Sequence, residues 1–186
     1  MIEKRELPQR GAMRLPNYDY SQSGCYFVTL CVKDRKPILC KILPNARVGT
    51  DVLVRPPYKI RFTQIGFSVR DTIAYIDENY PNVKIDKYCI MPDHVHLLLT
   101  IQDTDGRGRP SLRKKSFVTE RVQMPLGRII RQFKTFTTKQ ARDLLGDKDF
   151  LLWQPRFYDH VIRNDEDYAE KWQYIDENPL KYICLK

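Results

Sequence analysis

Apolar and polar positions along the chain fall into runs of two different periods. Cys25-Tyr-Phe-Val-Thr-Leu-Cys-Val32 is dense in aromatic and β-branched residues and follows a turn-rich lead-in from Tyr18 to Gly24, which predicts a first strand. Val83 to Ile90 and His94 to Ile101 predict two more, joined at Met91-Pro-Asp93, and Leu151 to Ile162 predicts another. Helical spacing takes over from Gln64 to Tyr80, where Ile65, Val69, Ile73 and Ile76 form a stripe that ends before Pro81. A second helix is predicted from Leu126, with Leu126, Ile129, Ile130, Phe133, Ala141, Leu144 and Leu145 on its apolar face and Arg128, Arg131, Lys139 and Arg142 largely on the other. A last helix should start after Asn164, with Asp165, Glu166 and Asp167 in its first turn, bury Tyr168, Trp172 and Ile175, and stop at Asn178-Pro179. This order predicts one α+β domain over residues 1–186, an antiparallel sheet with helices packed on one face. Residues 45–59, which include Pro56 and Pro57, read as a surface excursion or edge hairpin, and residues 103–123 as a polar loop.

Composition adds bounds. With 186 residues and 42% hydrophobic content the chain can bury a real core. No apolar run approaches the roughly 18 to 20 residues that span a bilayer, and Met1-Ile-Glu-Lys-Arg-Glu lacks the apolar core of a secretory signal. The expectation is a cytoplasmic protein with no membrane partner. Five scattered cysteines, none in a CxxC pair, suggest neither a disulfide framework nor a zinc-thiolate site. The net charge of +9 is concentrated: residues 107–142 hold eleven Lys/Arg against Glu120 alone. Such a block attracts a phosphate backbone, although charge runs are also found on plain solvated surface.

Chemistry centres on Met91-Pro-Asp-His94-Val-His96-Leu-Leu-Leu99. Strand alternation puts His94 and His96 on one face, able to share one divalent ion, with Val95 and Leu97 turned into the core behind them. On its own the pair also describes two half-exposed structural histidines. His160 is the only other histidine; it could complete a three-histidine site or simply pair with an acidic neighbour. On the last helix Tyr174 and Asn178 lie about one turn apart on a face shared with Lys171. Tyr174 is a candidate nucleophile toward a phosphodiester, and the Asn178 amide oxygen a candidate third metal ligand.

Together these residues resemble the single-tyrosine transposases of the HUH endonuclease superfamily, and within them the REP-associated tyrosine transposases. The resemblance rests on Tyr26-Phe-Val-Thr-Leu-Cys31, the histidine string, Leu126-Gly-Arg-Ile-Ile-Arg-Gln-Phe-Lys134, Leu152-Trp-Gln154 with Phe157-Tyr-Asp-His-Val-Ile-Arg163, and Tyr174-Ile-Asp-Glu-Asn-Pro179. It implies a ferredoxin-like or RRM-like HUH fold, His94, His96 and Asn178 on Mg²⁺ or Mn²⁺, and Tyr174 as the nucleophile that cleaves and rejoins single-stranded DNA beside hairpins through a 5′-phosphotyrosine. Relatives act as monomers or homodimers. Arg128, Arg131 and Lys134 on the basic helix, with Arg113, Lys114 and Lys115, are the candidate DNA-backbone contacts. Two other readings fit the charge and pattern: a non-catalytic RRM-like nucleic-acid-binding protein, and a metal-dependent phosphohydrolase that uses water.

Overall fold

The computed structural model describes residues 23–44, 58–102 and 126–184; the expected excursion apart from Tyr58 and Lys59, the polar loop, and Arg113, Lys114 and Lys115 lie outside them. Among the described residues six strands and three α-helices follow in order: β1 (Gly24–Cys31), β2 (Cys40–Pro44), β3 (Tyr58–Phe62), α1 (Gln64–Asn79), β4 (Val83–Ile90), β5 (His94–Ile101), α2 (Leu126–Leu145), β6 (Tyr158–Ile162) and α3 (Asp165–Cys184). β4, β5, β1 and β6 pair antiparallel in that spatial order. With β2 and β3 set aside as a separate two-stranded sheet, the chain runs βαββαβ, the ferredoxin-like arrangement.

Period-two alternation sorts the sheet residues between two cores. Tyr26, Val28 and Leu30 of β1 and Val95, Leu97 and Leu99 of β5 face α1 and α2, joining Ile73, Ile129, Ile130 and Phe133. Phe27 and Leu98 point the opposite way and pack with Ile175 of α3, Cys40, Ile42, Cys89 and Met91. The α+β class with an antiparallel sheet is therefore as expected, but only α1 and α2 share a face, and α3 crosses the other. The apolar residues of β1 and β5 fall on both sides of the sheet, so both sides need a cover.

Three boundaries differ from the sequence reading. The strand expected over residues 151–162 is confined to β6, because Pro155 interrupts it; Trp153 makes an isolated bridge to Val32 instead. Pro179 does not stop α3, which continues to Cys184. Proline removes the hydrogen bond to the Ile175 carbonyl, but both residues are buried and Tyr182 and Ile183 pack beyond them, so tertiary contacts hold the last turns. Finally, Leu144 and Leu145 of α2 and Trp172 of α3 are exposed rather than core. Trp172 lies beneath the Lys87 ammonium, 4.0 Å from its ring centroid, while Thr137 fills the α2 stripe by accepting the Trp153 indole N–H at 2.8 Å.

The start of α1 is pinned by close approach. Thr63 Oγ1 accepts from Gly66 N at 3.0 Å and donates to Ile38 O at 2.7 Å. A Cβ on Gly66 would run into the Leu39 backbone carbonyl. Gly66→Ala is expected to lower unfolding free energy by about 3 kcal/mol in urea titration; a change near zero would contradict this packing.

Candidate active site

The two histidines of β5 face away from the α1 and α2 core, opposite Cys31 and Thr29 of β1. Each ring is held through Nδ1. His94 Nδ1 donates to Asp93 Oδ1 at 2.6 Å, because an ionised carboxylate only accepts; His96 Nδ1 lies 2.9 Å from Thr29 Oγ1. The rings are 4.7 Å apart between centroids. Burial pushes the His94 pKa down although Asp93 pulls it up, and burial, then the neighbouring His94, pushes His96 down to about 3. Both imidazoles are therefore neutral near pH 7. His94, whose Nδ1 donates to Asp93, carries its lone pair on Nε2, and His96 does so in the tautomer whose Nδ1–H donates to Thr29 Oγ1.

His96 is 3% exposed and its Nε2 is buried without a hydrogen-bond partner among the described residues. A buried polar atom normally has a partner, so this lone pair marks a place for an electrophile. A ring nitrogen anchored on oxygen with the other one open is the usual preparation of a metal-binding imidazole. Thr29 and Asp93 were not singled out in the sequence, because neither their spacing nor their type distinguishes them from ordinary strand and turn residues. Thr29→Val is expected to weaken Mn²⁺ binding by about 10- to 100-fold in calorimetry with the fold intact. Unchanged affinity would deny the threonine its orienting role.

Tyr174 reaches the same place from α3. Its ring sits 5.2 Å from that of His96 and 5.7 Å edge-on from Phe27, which stacks on His96 at 5.3 Å. At 40% exposure the tyrosine is open to an incoming molecule. Tyr174, His94 and His96 line one cleft of about 590 Å³ with Phe27, Thr29 and Arg35.

Other expected site residues fall elsewhere. Asn178 sits one turn beyond Tyr174 on α3; its amide nitrogen donates back to the Tyr174 carbonyl at 3.4 Å, which leaves the amide oxygen expected as a ligand without a part in that bond. His160 holds both Asp167 oxygens through Nε2, at 2.9 and 2.8 Å, so it braces β6 against α3. Among the described residues no three His, Cys, Asp or Glu side chains converge as a metal site. His160, held by Asp167, thus forms no three-histidine centre with His94 and His96.

The basic helix is also divided in role. Arg128 and Arg131 are exposed. Lys134 instead bonds the carbonyls of Gln154 and Pro155, and burial pushes its pKa down. It ties the chain before β6 to α2. Lys134 and Arg131, with Lys139, Arg142, Thr135 and Thr138, line a second cleft of about 680 Å³ along α2.

No family model matches the chain. A Haemophilus influenzae protein provisionally named a REP-associated tyrosine transposase is 26% identical over 170 residues, 90% of this chain and 78% of that protein. The Escherichia coli REP-associated tyrosine transposase is 26% identical over 118 residues, 63% of this chain and 56% of that protein. A solved structure of a REP-associated tyrosine transposase bound to a REP hairpin is 23% identical, covers 91% of this chain and 74% of that one, and shares the fold at a TM-score of 0.51. The family resemblance read from the motifs is borne out in sequence and in fold: this chain is related to the REP-associated tyrosine transposases. No helix among the described residues is long and apolar enough to cross a membrane.

Proposed function

We propose that the protein is a transposase that cleaves and rejoins single-stranded DNA beside hairpins, with Tyr174 as nucleophile and His94 and His96 as ligands of Mg²⁺ or Mn²⁺. The observation that carries this reading is the meeting of Tyr174 with two neutral imidazoles, one with an unpartnered buried nitrogen, in one cleft. When bound, the cation supplies Lewis-acid polarisation of the scissile phosphate. Among hard oxygen-loving cations, two imidazoles leave most coordination positions to phosphate oxygens and water, a suitable donor set for Mn²⁺ and an acceptable one for Mg²⁺.

The chain's own groups then have distinct tasks. The Tyr174 Oη attacks phosphorus and loses its proton as the P–O bond to the 3′ oxygen breaks. That oxygen gains a proton and leaves as a free 3′-hydroxyl, while the 5′ side stays on the tyrosine as a phosphodiester. The bond count is conserved, so attack by a second 3′-hydroxyl reverses the step and needs no external energy source. Phe27 backs both the tyrosine and His96, which keeps their rings in register. Arg128 and Arg131, on the exposed face of α2, serve as sequence-independent contacts to the backbone of the bound strand.

The test is incubation of the purified protein with labelled single-stranded DNA from the flanks of its own gene, with Mg²⁺ or Mn²⁺, followed by denaturing electrophoresis. A slow covalent protein–DNA band that requires the metal is expected. Tight binding with no such band on any flank would replace this reading with a non-catalytic nucleic-acid-binding protein.

A further inference from the structure

Just after β1 the chain makes a turn in which Asp34 and Arg35 both adopt the left-handed backbone region, with φ of 56° and 54°. Two successive residues with a Cβ in this region are uncommon, and such strain is concentrated where a side chain must be delivered to a fixed place. The turn is fastened by Val32 N to Asp93 O at 2.9 Å, Lys33 N to Leu152 O at 2.8 Å and Arg35 N to Val32 O at 3.0 Å. It brings the Arg35 side chain back over the end of the sheet and into the cleft that holds Tyr174, His94 and His96.

The guanidinium is anchored there without being used up. Nε lies 3.0 Å from Asp93 Oδ2, on the carboxylate whose other oxygen holds His94, and Nη1 donates to Cys31 Sγ at 3.0 Å. Of the five N–H donors of a guanidinium, these two contacts leave the remainder on a side chain that is 52% exposed. Among the described residues the cleft wall also carries Lys171, whose ammonium is shared with two carboxylates, Glu170 at 2.7 Å and Asp167 at 3.7 Å. A phosphodiester anion entering the cleft thus meets, among the described residues, a guanidinium held in place with open donors, and a planar fork suits two phosphate oxygens.

We propose that Arg35 contacts the non-bridging oxygens of the scissile phosphate and stabilises the charge that builds on them as Tyr174 attacks. This deepens the transposase reading and rests on it. Arg35 is then a catalytic residue supplied by the β1 turn, and Asp93 positions both it and His94.

The experiment compares wild type, Arg35→Met and Arg35→Lys on two versions of one flank-derived strand, one native and one with a neutral methylphosphonate at the scissile linkage, each diastereomer separately. On native DNA, Arg35→Met should slow adduct formation by about 100-fold, with Arg35→Lys between the two. On the methylphosphonate the wild type and Arg35→Met should differ by less than about 3-fold, because the charge that Arg35 meets is gone. An equal loss on both substrates would mean that Arg35 only supports Asp93 and the fold, and no loss on either would deny it any part; each result overturns the proposal. Should Arg35→Met fail to fold, Arg35→Lys against wild type gives the same comparison. A wild-type protein that forms no adduct on native DNA would instead sink the transposase reading itself, an outcome separate from any difference between variants.

Discussion

Tyr174→Phe should abolish the covalent protein–DNA band, lowering adduct formation by at least about 10⁴-fold, while DNA binding in gel shift stays within a few-fold of wild type. Loss of the nucleophile removes the atom that forms the bond to phosphorus. The substitution keeps the ring and hence its contacts with Phe27 and His96. Stability should therefore change by no more than about 0.5 kcal/mol, measured by thermal or urea unfolding. Metal-dependent cleavage that survives the substitution would show that water is the nucleophile and that Tyr174 only lines the cleft, the phosphohydrolase reading.

The second large effect concerns the histidines. His94→Ala and His96→Ala are each expected to reduce cleavage by about 10³-fold at saturating DNA, since the Lewis acid contributes several kcal/mol of charge stabilisation. Chelation of the metal from wild type should do the same. Hairpin binding should persist, because Arg128 and Arg131 lie on α2, which packs against the face of the sheet opposite the histidines. The two variants should differ in stability. His96 is buried and stacked on Phe27, so its truncation leaves a cavity and costs about 2 kcal/mol, whereas the more open His94 costs less. Binding lost in well-folded variants would place the histidines in DNA recognition instead of chemistry.

The distribution of legible and illegible features follows from how far each depends on distant contacts. β4 and β5 run between the residues read from the sequence, since apolar density and a Pro-Asp turn are local signals. α1 and α2 were equally plain from their stripes. Strand β6 was read too long because Leu152 and Trp153 are apolar for packing against α2, not for pairing in the sheet. For Lys134 the sequence shows charge and helix face, but not the Gln154 and Pro155 carbonyls, 20 and 21 residues away, that its ammonium bonds.

The same division runs through the site. The sequence by itself determined that His94 and His96 share a face, because a strand alternates every residue, and that Tyr174 lies on the last helix in one-turn register with Asn178. Only the tertiary structure decided that α3 crosses the histidine side of the sheet, which brings Tyr174 to His96. It also decided that Thr29, 67 residues before His96, fixes the imidazole, and that a left-handed turn carries Arg35 to Asp93. Periodicity is written in neighbouring residues, whereas orientation of a functional group is set by partners that only strand register and helix packing bring within hydrogen-bond reach.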